Sequence, residues 1–150
     1  MTADLASDLV HATAVAIGRS GVLMRGASGS GKSSLARGLL SQAGPSRFRA
    51  LIADDQTKLT RAGSALIGSS PEAIAGRMEW RGLGILTVPA LPRCRIDLVV
   101  DLVPAVSADR LPPEPDEEML LGISLPRHTL PSIAETAVYL QRLFEDHGDE

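Results

Sequence analysis

Gly26-Ala27-Ser28-Gly29-Ser30-Gly31-Lys32-Ser33 fits G-x-x-x-x-G-K-[ST], the loop whose glycines let backbone N–H groups close around a polyphosphate. An apolar stretch, Gly21-Val22-Leu23-Met24-Arg25, runs into it. Lys32-Ser33-Ser34-Leu35-Ala36-Arg37-Gly38-Leu39-Leu40 follows with leucines at helical spacing. Strand, loop and helix in that order are the context in which this pattern works. The chain is therefore expected to bind a nucleoside triphosphate through Gly26, Ala27, Ser28, Gly29, Ser30, Gly31, Lys32, Ser33 and Ser34. Lys32 would reach the β- and γ-phosphates and the Ser33 hydroxyl would hold Mg²⁺. The helix N-terminus would add a partial positive charge worth a few tenths to about 2 kcal/mol. Fourteen glycines make accidental glycine-rich turns common, but they do not account for Lys32 and Ser33 in register with a strand and a helix.

Upstream, Val10–Ile17 reads as a strand and Gly18-Arg19-Ser20-Gly21 as the turn that folds it onto Val22–Arg25. A β-hairpin thus leads into the phosphate loop, whereas a doubly wound nucleotide domain opens with one buried strand. Downstream, the helix should stop at Gly44-Pro45. Phe48–Ala53 reads as a central strand that ends in Asp54-Asp55. Lys58–Thr60 and Ala65–Ile67 read as a second hairpin around Arg61–Ser64, with a short helical turn at Pro71–Ile74. Gly76–Val88 alternates charge and apolarity before a glycine bend. Arg95–Val103 and Met119–Leu125 read as further strands. The four prolines from Pro104 to Pro115 mark the best candidate for a mobile loop. Ser132–His147 carries Ile133, Ala137, Leu140, Leu143 and Phe144 on one helical face.

A chain of 150 residues suits one core, so a single domain over residues 1–150 is expected. Lys+Arg 15 against Asp+Glu 18 gives a net charge of −3, which argues against nucleic acid as a partner. One cysteine, Cys94, rules out an internal disulfide framework and any multi-cysteine zinc site. Apolar runs fall short of a membrane span, and acidic residues stand near the N-terminus where a signal peptide wants basic ones. No membrane association and a cytoplasmic location are the expectations.

Taken together, Val10-His11, the glycine loop, Ala53-Asp54-Asp55 and Glu79-Trp80-Arg81-Gly82-Leu83-Gly84-Ile85 resemble, in order and near spacing, the catalytic domain of HPr kinase/phosphorylase. The resemblance covers roughly residues 8 to 128. It implies an α/β P-loop kinase domain with a mixed β-sheet, an N-terminal β-hairpin before the phosphate loop and a C-terminal helix. It also implies transfer of phosphate from ATP, with Mg²⁺, to a seryl hydroxyl of HPr, the small phosphocarrier of the sugar phosphotransferase system. A homo-oligomer, hexameric in the family, is implied as well. Only about ten residues precede the first strand, so the family's usual N-terminal domain is expected to be absent. The stretch after Pro126–Pro131 lacks the glycine-arginine-asparagine segment that supports dephosphorylation, so kinase activity is better supported than phosphorylase activity.

By the same resemblance, Asp55 would accept the seryl proton and Asp54 would stand beside the metal or its water shell, although the residues alone leave the choice between them open. Glu79 matches the family's acidic magnesium ligand beside Ser33. Arg81, two residues on along a strand, could pair with Glu79 or a phosphate. Arg110, on the proline-rich segment, matches an arginine that closes over the transferring group. His11 matches a histidine that hydrogen-bonds the site or orients the aspartate. Arg127 and His128 are weaker candidates for binding phosphate or protein, and Trp80 and Cys94 read as packing residues. A small-molecule P-loop kinase or hydrolase and a non-catalytic ATP sensor coupled to signalling share the loop. The sensor has no use for Asp55 and Arg110, and a small-molecule kinase needs an acceptor pocket of its own.

Overall fold

The computed structural model describes residues 7–27, 29–42, 48–71, 76–80, 82–104 and 116–145. In chain order its elements are β1 (Ser7–Val10), β2 (Ala12–Ile17), β3 (Ser20–Arg25), α1 (Lys32–Leu40), β4 (Arg49–Ala53), β5 (Thr57–Ala62), β6 (Ala65–Ser69), β7 (Arg77–Trp80), β8 (Gly84–Thr87), β9 (Arg93–Val103), β10 (Asp116–Leu120), β11 (Ile123–Pro131) and α2 (Ala134–Glu145). The main sheet is mixed and runs β1-β5-β6-β9-β3-β2-β4. The β10–β11 hairpin is attached through a parallel pairing of β11 with β9.

Both faces of this sheet are buried, which explains why β2 and β3 read as near-continuous apolar runs. One face holds Val15, Val22, Met24, Leu51 and Val100 against Leu35 and Leu39 of α1 and Leu140 of α2. The other packs Ala12, Ala14, Ala16, Leu23 and Val99 against Leu59, Leu66, Ile123 and Leu125. The alanines of β2 are small enough for the curled sheet to close over them. Each fully buried leucine contributes roughly 1.5–3 kcal/mol.

β9 changes partners along its length. Arg93–Arg95 pair antiparallel with β6, and Ile96–Asp101 pair parallel with β3. The β3–β9 register slips between Gly21 and Val22, so that Asp97 is the extra residue of a bulge. The bulge turns Ile96 to the strand-covered face and Leu98 to the helix-covered face. Gly21 permits it, because a Cβ there would lie 2.5 Å from the Arg95 carbonyl oxygen.

The hairpin before the phosphate loop and the amphipathic C-terminal helix stand as the sequence indicates. Five details differ. The strand expected to be central, Phe48–Ala53, is β4 at the end of the sheet path, paired with β2 and touched on its other side by a single bridge from Leu51 to Ala90. The expected strand Val10–Ile17 is broken at His11, where the chain leaves β5 and joins β3 and β4. α1 ends at Leu40 with Ser41 as its cap, ahead of Gly44-Pro45, which lie outside the described residues. The hairpin turn of β5–β6 is only Gly63-Ser64. Met119–Leu125 is two strands joined at Leu121-Gly122, both with positive φ (49° and 82°). A leucine in the left-handed region carries no turn signal, which is why the reversal is hard to read. The helical turn at Pro71–Ile74 and most of Pro104–Pro115 fall outside the described residues. Among those described, no helix is long and apolar enough to cross a membrane.

A Gly21→Ala substitution forces a methyl group against main chain rather than a movable side chain. Urea denaturation of this variant should show a loss of about 1–3 kcal/mol, the usual cost of overpacking.

Candidate phosphate-binding and transfer site

The loop from Gly26 to Gly31 joins the end of β3 to the start of α1, and Gly31, with φ 102°, turns the chain into the helix. No side chain caps the first turn of α1, so its free N–H groups are left to face the loop. Lys32 is 5% exposed, and its Nζ donates to the carbonyls of Gly26 (2.9 Å) and Ala27 (3.3 Å). Two of its three donors thus hold the loop's shape and the third is available to an anion. The Ser30 hydroxyl is buried with no hydrogen-bond partner among the described residues, the kind of orphaned polar atom that a ligand oxygen satisfies. The donor set suits a phosphate. Ser28 lies outside the described residues.

Thr13, on β2, organises the opposite wall. Its hydroxyl, fully buried, donates to Asp54 Oδ1 at 3.2 Å and accepts the backbone N–H of Asp55 at 3.0 Å. Asp54 Oδ1 also accepts the Ser33 hydroxyl at 2.9 Å, which ties the loop serine to the end of β4. Asp55 adopts φ 69°, a left-handed conformation that aspartate tolerates, and its Oδ1 meets His11 Nε2 at 2.7 Å. The His11–Asp55 pair is open to solvent, whereas Asp54 is half-buried. The two aspartates are therefore divided by environment: Asp54 toward the loop and Asp55 toward solvent.

Lys32, Ser33, Asp54, Asp55 and Glu79 line one cleft of about 580 Å³. Glu79 enters it from β7, and Arg37 of α1 also borders it. Gly31 and Ser34 are shared with a second cavity of about 400 Å³, largely apolar, between α1 and the start of α2. Arg81 and Arg110 lie outside the described residues.

Arg127 is not a free ligand. It bonds to Asp116 (2.7 Å), Asp101 (3.3 Å) and Glu118 (3.3 Å). Arg25 joins the same cluster, gripping Asp101 through two hydrogen bonds (2.7 and 2.9 Å) and Glu118 through one (3.2 Å). Hydrogen bonding to Asp101 holds the Arg25 guanidinium more firmly protonated than usual despite its partial burial. The His128 ring tilts against Tyr139 of α2, 6.2 Å between centroids. Trp80 packs on the helix-side core, as its composition indicates. Cys94 is half-buried, and desolvation pushes its thiol up from the usual value.

A strand that enters a glycine loop, a lysine and serine opening the next helix, and a carboxylate bonded to that serine define the architecture of a P-loop domain. The chain belongs to the HPr Serine kinase C-terminal domain family, whose sequence profile matches residues 3–139. It is 39% identical over 133 residues to an HPr kinase/phosphorylase of Geobacillus thermodenitrificans, covering 81% of this chain and 41% of that protein. It is 36% identical over 126 residues to an HPr kinase/phosphorylase of an Azoarcus species, covering 76% and 39%. The chain therefore spans about two fifths of the length of these curated relatives. A solved structure of the Hpr(Ser) kinase/phosphatase from Coxiella burnetii superposes with a TM-score of 0.80 at 28% identity, covering 93% of this chain and 95% of that one.

Thr13→Val keeps the side chain's shape and removes its hydroxyl, leaving the Asp55 N–H without its partner. The variant should lose about 1–3 kcal/mol in chemical denaturation, the range for deleting a hydroxyl that bonds both a carboxylate and a part-buried N–H. A Thr13→Ser protein, which keeps the hydroxyl, should retain most of that stability.

Proposed function

We propose that this chain is an ATP-dependent kinase that phosphorylates a seryl hydroxyl of HPr, with residues 1–150 acting as one catalytic domain. The observation that carries the reading is the Ser33–Asp54 hydrogen bond beside Lys32, with the His11–Asp55 pair on the neighbouring carboxylate. Phosphoryl transfer needs a cradle for the polyphosphate, oxygen ligands for a metal and a base for the acceptor hydroxyl. These residues supply one group for each need.

In this reading, backbone N–H groups of residues 29–34 and the Lys32 ammonium bind the β- and γ-phosphates. The nucleoside end extends toward the apolar cavity beyond Gly31 and Ser34. Mg²⁺, when bound, neutralises charge on the β- and γ-oxygens, and Ser33, Asp54 and Glu79 are the oxygen donors that would hold it. Asp54 is already committed to Ser33 and Thr13, so the acceptor's proton falls to Asp55. His11, bonded to the same Asp55 oxygen, orients that carboxylate. As the bond between the seryl oxygen and the γ-phosphorus forms, the bond from that phosphorus to the β-phosphate oxygen breaks. Asp55 takes the hydroxyl proton and ADP departs. Arg110, by the resemblance, is assigned the role of offsetting the developing charge. A homo-oligomer in the cytoplasm, without nucleic acid or membrane, is the setting this reading carries.

The test pairs isothermal titration against a non-hydrolysable ATP analogue with transfer of label from ATP to the seryl side chain of HPr. Lys32→Ala should lose both binding and transfer. Asp55→Asn should lower transfer by about 10²–10⁴-fold, the usual loss with a general base, while binding stays level or tightens. Glu79→Gln should raise the Mg²⁺ concentration needed for half-maximal rate. A wild-type chain that binds nucleotide and labels no HPr would favour a sensor and sink the kinase reading.

A further inference from the structure

The cleft carries a cation that the mechanism above leaves unused. Arg37 lies four residues beyond Ser33 and so on the same face of α1. A helical side chain leans toward the helix N-terminus, which aims this one back at the phosphate loop. Its guanidinium carbon stands 5.7 Å from the centroid of the Trp80 ring, and its Nη2 donates to the Ser34 hydroxyl at 2.9 Å. Both partners are neutral. Among the described residues no carboxylate pairs with Arg37, whereas Arg25, Arg95 and Arg127 each hold at least one. Four of its five N–H donors are thus left without a partner in the described structure.

The charge balance points the same way. Apart from Arg37, the described lining of the cleft sets three carboxylates, Asp54, Asp55 and Glu79, against the ammonium of Lys32. That field repels a polyphosphate, and one further fixed cation at its edge reduces the repulsion. The ring of Trp80 supplies the means of fixing it, because a guanidinium stacked on an aromatic face loses little freedom when it binds. Trp80 also follows Glu79 on β7, so the same contact links α1 to the strand that bears a proposed metal ligand.

We propose that Arg37, braced on Trp80 and Ser34, binds a phosphate group in this cleft and acts there as a second side-chain cation beside Lys32. The proposal rests on the kinase reading only in taking the cleft for a phosphate site. The phosphate belongs either to a nucleotide or to a free inorganic species.

Calorimetric titration of the full chain with ATP and, separately, with inorganic pyrophosphate tests this at two or more salt concentrations. Arg37→Gln should bind about 10- to 100-fold more weakly, the range for losing a charged hydrogen bond, and with a shallower salt dependence than wild type. Arg37→Lys should lie between the two, since it keeps the charge and loses the planar fork. Arg37→Met, which keeps the packing on Trp80, takes the place of Arg37→Gln if that variant does not fold. A loss seen with both ligands assigns the phosphate independently of the nucleoside; a loss seen with ATP alone assigns it to the nucleotide. Wild-type affinity in the Gln or Met variant overturns the proposal, and so does weaker binding with an unchanged salt dependence, which marks Arg37 as packing only. The kinase reading survives either result provided Lys32→Ala abolishes binding. A wild-type chain that binds neither ligand overturns both.

Discussion

The pairing of β9 with β3 is the constraint on which the rest of the molecule depends. β3 delivers the phosphate loop, and its position is fixed on one side by β2 and on the other by the parallel register Val22–Arg25 against Leu98–Asp101. The same β9 residues carry β11 on their other edge, so three strands end side by side where the loop begins. Ligands of open α/β sheets bind beyond the carboxyl ends of such parallel strands. β9 is buried on both faces through Val99, Val100 and Leu102, and a change there disturbs the helix-covered and strand-covered cores together.

Electrostatics outside the cleft reinforce this junction. Arg25 and Arg127 share Asp101 and Glu118, and Arg127 adds Asp116. Isolated surface ion pairs contribute little, but a bidentate grip in a half-buried network is stronger and directional. Here it locks the last residue of β3, immediately before Gly26, to the neighbouring strands. Thr13 does the corresponding work on the other wall, where one buried hydroxyl sets both the Asp54 carboxylate and the Asp55 main chain.

The features legible in the sequence are those in which a local pattern and its chemistry coincide. The glycine loop followed by Lys32 and Ser33 is such a pattern, as is an aspartate pair at a strand end. Hairpins with glycine turns and the amphipathic α2 are also local. What stayed hidden depends on contacts between distant residues or on backbone conformation. Arg25 and Asp101 are 76 positions apart, and Arg25 and Glu118 are 93 apart, so nothing in either segment announces the network. Arg127 therefore read as a possible ligand when its charge is already spent. Thr13 looks like any β-branched residue of a strand, although a hydroxyl in an otherwise apolar run was a usable signal. The bulge at Asp97 and the reversal at Leu121 are backbone events that no side-chain period records. Arg37 reads as an ordinary helix-surface cation until Trp80 is placed beneath it.

The long sequence gap between β3 and β9 also orders the assembly of the molecule in time. The β2–β3 and β5–β6 hairpins are closed by two-residue turns and can form within microseconds of their synthesis. The parallel β3–β9 contact instead requires closure of a loop of more than seventy residues, and non-local closure of this kind slows folding. A nascent chain that stops short of β9 already contains the whole glycine-loop motif and both aspartates, yet nothing holds one edge of β3. The loop's setting is therefore completed late, when the central strand has been made and inserted.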